Sequence, residues 1–343
     1  MGDHTDYNDG LVLPLAIDRD CLIAYRATDT GRVRVRSSEL DGPVDVSADG
    51  TTDPATVEPP WGRFVAGAVA AVSGRGGPVS GFDAVVSSSV PAGAGLSSSS
   101  ALAVALVLAL VDSTGGATLP PVDAARTALE AEVRATGVPG GLMDQLTSLL
   151  GRAGCALCID CRALTTEPVP IPSDLTVLVV HSGRSRTLAG SEYAARRAAC
   201  EAAAAHLGVS ALRDATLAQV HDDPIARHVV TENRRVVETE AALRANDHGA
   251  LTRLLLASHA SLRDDYRVST AELDALVDAL VTAGAFGARL TGAGFGGCVV
   301  ALTARTDTER IATEATDAYR RATGLEPRVF PVQAVDGAGP ITP

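Results

Sequence analysis

Pro91-Ala92-Gly93-Ala94-Gly95-Leu96-Ser97-Ser98-Ser99-Ser100, followed at once by the apolar run Ala101-Leu102-Ala103-Val104-Ala105-Leu106-Val107-Leu108-Ala109-Leu110-Val111, reads as a loop running into a buried helix. Glycines at 93 and 95 let the backbone turn with positive φ and leave room for a ligand against the amides. The serines fall where the helix begins, so capping hydroxyls, unpaired N–H groups and the positive end of the helix dipole point at one place. Such a place suits an anion, phosphate above all. The plainer alternative is a serine-rich loop with an ordinary N-cap, and the rest of the chain has to decide between them.

At 343 residues with 46% apolar content, the chain has material for two domains or one large one around a sizeable core. The longest apolar run is the eleven residues 101–111, short of the roughly 18–20 that cross a bilayer. No charged and apolar leader opens the chain, so the expectation is a soluble, cytoplasmic protein. A formal charge of −12 argues against nucleic acid, which is bound through clustered basic residues. All 29 basic residues are Arg, which excludes a Walker-type lysine, a protein-kinase strand lysine and a Schiff-base lysine. A nucleotide at the serine loop would therefore be held by backbone amides, hydroxyls and metal.

The spacing Cys155-x-x-Cys158-x-x-Cys161 resembles part of a metal or cluster site. Its surroundings read instead as a buried strand, on which residues three apart point to opposite faces; reduced, partly buried thiols are expected. At the N-terminus Asp3, His4 and Asp6 crowd together ahead of an apolar run. Carboxylates accept several hydroxyl hydrogens and His gives or takes one, so the cluster fits a metal, a polyhydroxylated ligand or a solvated terminus.

Residues 20–50 alternate, as in Arg32-Val33-Arg34-Val35-Arg36, and predict strands of an antiparallel sheet. Trp61, the single tryptophan, opens an amphipathic helix and is either core or a platform for an adenine ring. Gly74–Gly77 breaks the chain before a strand at 82–86. A helix from Pro121 carries Glu130 and Glu132 and ends at Gly137, and Asp144 follows the Gly140-Gly141 pair near the next helix start, where an N-cap is the bland explanation. Pro168-Val169-Pro170-Ile171-Pro172 marks the expected domain boundary, dividing 1–172 from 173–343. Beyond it come a strand at 175–180, a loop at 181–190 and helices at 191–207, 226–246, 247–264 and 270–283. The glycine cluster 292–297 then runs into a strand at 299–302, and a helix near 308–322 and strands near 328–334 close the chain.

Three separated segments match one family together. Gly2-Asp3-His4-Thr5-Asp6-Tyr7-Asn8, Gly95-Leu96-Ser97-Ser98-Ser99-Ser100 and Thr291-Gly292-Ala293-Gly294-Phe295-Gly296-Gly297-Cys298 resemble the motifs of the galactokinases, members of the GHMP small-molecule kinase superfamily. The likeness continues through Gly141–Gln145, Ser191–Tyr193 with Arg196-Arg197, and Ser261–Tyr266, in the family's order. It implies an α/β (α+β) fold of two GHMP-kinase domains with the active site in the cleft between them. It also implies ATP-dependent phosphorylation of galactose at C1, giving galactose 1-phosphate. Carried over by position, Asp144 faces the C1 hydroxyl, and Asp3, His4, Asp6, Gly141 and Tyr193 contact the sugar. Gly93, Ala94, Gly95, Leu96, Ser97, Ser98 and Ser99 cradle the ATP phosphates, Trp61 lies near adenine, and Ser99 and Glu132 lie near Mg²⁺. Without lysine, the magnesium and the helix N-terminus supply most of the positive charge. A related sugar, such as N-acetylgalactosamine or arabinose, and a non-catalytic sensor of sugar and ATP are the alternatives. The expected partners are small molecules alone, with no nucleic acid or membrane, in a monomer or weak oligomer.

Four departures from the family pattern carry expectations. Asp3 replaces Glu and shortens the reach by a methylene. Ser100 replaces Ala. Ala293 replaces Gly, which would strain the loop by about 1–2 kcal/mol if that position takes positive φ. The family's preceding strand, with an arginine beside the catalytic acid, has no counterpart before Met1, so an uncovered sheet edge and impaired activity are expected of this chain.

Overall fold

The computed structural model describes residues 1–76, 79–91, 93–115, 118–184 and 189–341. Its strands, in chain order, are β1 (Leu11–Val12), β2 (Cys21–Thr28), β3 (Arg32–Ser37), β4 (Val44–Ser47), β5 (Gly81–Ser88), β6 (Cys155–Asp160), β7 (Thr165–Pro170), β8 (Leu175–His181), β9 (Gly287–Leu290), β10 (Cys298–Ala304) and β11 (Arg328–Val332). The helices are α1 (Gly62–Gly76), α2 (Ser98–Ser113), α3 (Pro121–Thr136), α4 (Met143–Leu150), α5 (Ala189–Leu207), α6 (Pro224–Ala245), α7 (His248–Asp264), α8 (Ala271–Thr282) and α9 (Thr308–Thr323). The α/β (α+β) class expected from the sequence is the class observed.

Two compact units divide the described residues. The first draws on Met1–Asp18, Gly93–Leu96 and Arg152–Val335, the second on Arg19–Ala92, Ser97–Gly151 and Asp336–Pro343. A cut at residue 172 does not separate them, because the first unit takes residues from both sides of it: the sheet β1-β6-β7 lies in the same unit as the residues up to Val335. The proline-rich stretch expected to be a joint is partly strand: Pro168 and Pro170 lie on β7, opposite Leu157 and Cys155. Proline cannot donate to a ladder and is confined to sheet edges, and β7 is the edge of the order β1-β6-β7.

In the second unit, Val33 and Val35 of β3 are fully buried while Arg32, Arg34 and Arg36, which alternate with them, are half-buried or exposed, the alternation that marks a half-buried strand. The sheet runs β2-β5-β3-β4. It is mixed, not antiparallel as expected, because β3 and β5 pair in parallel. The connection between them holds α1, and parallel neighbours need such a crossover. Helix α1 continues through Gly74 to Gly76, past the expected break; Gly77 lies outside the described residues. On α2, Ala103, Leu106, Val107 and Leu110 are all fully buried, an i, i+3, i+4, i+7 stripe packed into the same core as β3 and β5.

The first unit's main sheet has the order β11-β8-β10-β9, antiparallel throughout. Leu178 and Val180 of β8, Ala288 and Leu290 of β9, and Val299 and Ala301 of β10 pack with Leu262, Leu273, Leu276, Ile311 and Tyr319 from the helices. Each fully buried Leu or Ile contributes about 1.5–3 kcal/mol. The expected loop at 181–190 is strand at His181 and helix from Ala189; positions 185–188 lie outside the described residues. No helix among the described residues is long and apolar enough to cross a membrane.

Candidate active site

The N-terminal motif folds as one knot. The Thr5 hydroxyl lies 2.7 Å from both the Gly2 and Leu11 carbonyls, and Gly10 N–H donates to the Thr5 carbonyl at 2.8 Å. Gly2 has φ +90°, and a Cβ there would meet Leu11 O at 2.6 Å, so glycine is required. A 3-10 turn, Asp6–Asn8, follows, and the Asn8 amide donates to the His4 carbonyl at 2.9 Å. That bond holds His4 at φ +65°, a left-handed conformation that costs about 1–3 kcal/mol and clusters at functional sites.

Asp3 is buried among polar groups. Its carboxylate accepts from the Arg289 guanidinium and, at 2.6 Å, from Gly292 N–H. Burial alone would raise its pKa, but Arg289 beside it holds the carboxyl below its usual value. Glu232, fully buried, accepts from Gly2 N–H at 3.0 Å, Ser258 at 2.8 Å and Arg235 at 2.6 Å. Against the same cost of burial, Arg235 and Arg289 hold it well below the carboxylate range. His228 Nε2 donates to the Asp3 carbonyl at 3.1 Å. Sequence reading missed Arg289, Glu232 and His228; the one available signal was a charged residue inside the apolar strand Gly287-Ala288-Arg289-Leu290.

His4 and Asp3 both tie this motif to the third. The His4 Nε2–H donates to the Ala293 carbonyl at 3.2 Å, beside the Asp3 bond to Gly292. The glycine loop takes its positive φ at Gly292, Gly294, Phe295, Gly296 and Gly297. Ala293 is not among them, so the strain expected there does not arise. Gly294 carries the constraint: a Cβ would meet the Val268 carbonyl oxygen at 2.3 Å. Cys298 ends the loop, its thiol donating to the Ala94 carbonyl at 3.0 Å, which joins the start of the serine loop to the same unit.

Around His4 the first unit gathers aromatic rings. Tyr193 of α5 lies 5.6 Å from the His4 ring and 5.3 Å from Tyr7, and Tyr266 lies 4.7 Å from His4. His4 and Tyr193, two of the expected sugar contacts, therefore converge, with Asp3 next to His4 in the chain and its carboxylate on Arg289 and Gly292. Asp6, half-buried in its turn, has its charge near Cys161, whose thiol is pushed up first by burial and then by that carboxylate. Cys155 and Cys158 lie on β6, and all three are free thiols.

Gly93 and Gly95, on the part of the serine loop that belongs to the first unit, have the expected positive φ of 71° and 80°; from Ser97 the chain is in the second unit. Ser97 takes the N-cap position of α2 with φ +56° and makes no side-chain cap; the capping expected of these hydroxyls is replaced by a different use. Ser99 donates to Glu132 Oε1 at 2.6 Å, and Ser100 donates to Oε2 at 2.8 Å. The buried Gln145 amide nitrogen also donates to Oε2, at 2.8 Å. The Gln145 oxygen is buried with no hydrogen-bond partner among the described residues; turning the amide over would set it against a carboxylate. With its proton given to Glu132, Ser99 Oγ presents lone pairs beside a charged oxygen. This hard oxygen pair suits Mg²⁺, which takes one or two protein ligands and fills its shell with water and substrate phosphate. Groups of three or more His, Cys, Asp or Glu placed to hold a metal are absent among the described residues.

Asp144 lies in the first turn of α4, half-buried, with Leu142 at the N-cap, so the bland N-cap explanation fails. Gly141 precedes it by three residues, at the helix entry. Trp61 precedes α1; its ring packs on the second unit's core and its Nε1–H donates to the Asp41 carbonyl at 3.1 Å.

Comparison with known proteins agrees with this anatomy. Residues 1–27 match the galactokinase galactose-binding signature, residues 63–152 the GHMP kinases N terminal domain, and residues 239–321 the GHMP kinases C terminal model. A galactokinase of Roseiflexus sp. (strain RS-1) is 42% identical over 99% of this chain and 90% of its own length. That of Mycobacterium tuberculosis (strain H37Rv) is 41% identical over 98% and 95%. The crystal structure of Lactococcus lactis galactokinase complexed with galactose superposes with a TM-score of 0.90 at 28% identity, covering 98% of this chain and 91% of that one. Methanococcus jannaschii mevalonate kinase shares the fold, with a TM-score of 0.68 at 18% identity over 98% and 95%. With the three motifs, both kinase domains and full-length relatives in agreement, the chain belongs to the galactokinase family of the GHMP kinases.

Proposed function

We infer that the chain transfers the γ-phosphoryl group of ATP to the C1 hydroxyl of galactose, giving galactose 1-phosphate and ADP. The observation that carries this is the galactose-binding signature over residues 1–27, in which His4 converges with Tyr193 while Asp3 and His4 bind the glycine loop. In this reading His4, Asp6, Gly141 and Tyr193 address the sugar hydroxyls. Asp3 acts from behind, because its carboxylate is engaged by Arg289 and Gly292. Asp144 orients the C1 hydroxyl and takes its proton. Gly93–Ser99 supply backbone amides and hydroxyls to the ATP phosphates, and Trp61 borders the adenine. Ser99 and Glu132 would hold Mg²⁺, which neutralises charge on the phosphates. The protein's own contribution is positioning and electrostatics, the main sources of catalysis in phosphoryl transfer. We place the activity in the cytoplasm, the compartment that supplies ATP, in a monomer or weak oligomer.

The test is coupled ATP turnover with galactose, N-acetylgalactosamine and arabinose, with the product's phosphorylation site read by phosphorus NMR. Turnover greatest with galactose and phosphate on C1 is expected. Preference for another sugar reassigns the substrate, and galactose binding without turnover makes the chain a sensor.

A further inference from the structure

We propose that Tyr7, Tyr266 and Cys200 are positioning residues that fix the proton of His4 on Nε2, so that the imidazole meets galactose as a hydrogen-bond donor. The proposal deepens the galactokinase reading and takes from it His4 as a sugar contact. Four side chains from three segments of the first unit form one line. Cys200 Sγ of α5 lies 3.1 Å from the Tyr266 hydroxyl, which lies 2.8 Å from the Tyr7 hydroxyl, which lies 2.8 Å from His4 Nδ1. At the far side of the ring Nε2 faces the Ala293 carbonyl at 3.2 Å.

The direction of every bond follows from that last one. A carbonyl only accepts, so Nε2 carries a proton. In the neutral ring Nδ1 is then an acceptor, and the Tyr7 hydroxyl must donate to it. Having spent its proton, Tyr7 oxygen accepts from Tyr266, and Tyr266 oxygen accepts from the Cys200 thiol. The line has one consistent polarity, from Cys200 to Ala293. Burial pushes both phenols and the thiol above their ordinary values, so the donors keep their protons at neutral pH. Arg197 lies over the Tyr7 ring and Arg196 over the Tyr266 ring, each 5.9 Å from the centroid, and these contacts hold the two phenols in place. A sugar hydroxyl reaching Nε2 therefore meets the N–H now donated to the Ala293 carbonyl, and its oxygen shares or takes over that bond.

Long-range proton–nitrogen spectra of the full chain read the tautomer, with the His4 signals identified by their loss in His4→Gln. The wild type should show protonated Nε2 and unprotonated, hydrogen-bonded Nδ1, and galactose should shift both. Tyr7→Phe removes the donor to Nδ1. It should move that signal and mix the tautomers, and raise the galactose KM about three- to tenfold, the worth of one net hydrogen bond, ahead of any change in kcat or ATP KM. Tyr266→Phe should act in the same direction more weakly, and carries the comparison if Tyr7→Phe does not fold. Cys200→Ser, which keeps an O–H donor, should preserve the wild-type spectrum. A wild-type ring protonated on Nδ1 overturns the proposal without any variant, and so does a tautomer that ignores Tyr7→Phe. His4 signals unmoved by galactose, while the chain still phosphorylates it, overturn the sugar contact and leave the kinase reading intact. Absence of galactose turnover overturns that reading, and the proposal with it.

Discussion

Arg289→Met removes a cation placed between two buried carboxylates. The Arg289 side chain is 1% exposed, that of Asp3 8% and that of Glu232 0%. One guanidinium nitrogen bonds Asp3, and another lies 3.9 Å from Glu232. At that distance and an effective dielectric near 20, the gross attraction to Glu232 alone is about 4 kcal/mol. Desolvation takes back much of this in the intact cluster, but deleting one partner leaves the others buried and uncompensated, at a cost of about 3–5 kcal/mol. The pH dependence carries the sign. In the wild type both carboxyls are depressed, so their contribution is complete above the unfolded values of about 3.9 and 4.3 and is lost as pH falls through the folded ones. In the variant, burial without the guanidinium raises Asp3 above its unfolded value, so its contribution is lost as pH rises through the folded one. The stability gap between the two proteins is therefore widest at pH 7 and narrows toward pH 4. Urea unfolding at pH 7 and at pH 4.5 measures it. Arg289→Lys should recover part of the loss, lacking only the fork geometry, and Asp3→Asn combined with Arg289→Met should cost less than Arg289→Met alone. A gap below about 1 kcal/mol at pH 7, or one that widens on acidification, would refute the reasoning.

Three further outcomes are expected. Asp144→Asn should leave ATP and galactose binding in place and cut kcat by about 10²-fold or more, the scale of general acid–base assistance; an unchanged kcat removes Asp144 from the chemistry. Ser100→Ala frees Glu132 Oε2 from one of its two donors, and should raise the Mg²⁺ concentration needed for binding of a non-hydrolysable ATP analogue by about tenfold, read by calorimetry without turnover. Gly294→Ala drives a Cβ into the Val268 carbonyl at a residue with φ +78° and should displace the loop and raise the galactose KM, whereas Ala293→Gly should relieve no strain; activity assays and thermal melts compare the pair.

What the sequence makes legible is set by how far apart the interacting residues lie. The α2 stripe, the β3 alternation and the helices α3 and α6–α9 follow from periodicities within a dozen residues, and all are present near the predicted bounds. The parallel pairing of β3 with β5 and the strand character of Pro168 and Pro170 were not legible. Both depend on which neighbour a strand acquires, and composition at 165–172 describes a linker as well as an edge strand. The site divides in the same way. Local clustering pointed to Asp3 and His4, and the family resemblance to Ser99 and Glu132, as polar groups with chemistry, but neither says what a polar side chain is bonded to. Asp3 was read as reaching outward to a sugar, and its carboxylate is held inward by a guanidinium 286 residues away. Ser100 was read as a departure from Ala, and its added hydroxyl finds Glu132 32 residues on. In both cases the substituted side chain takes an internal partner, because a buried polar atom that lacks one costs about 1–3 kcal/mol. The shorter acid at position 3 finds Arg289 and Gly292 within its reach, and in the function proposed above Asp3 then serves to hold the loop that His4 also binds.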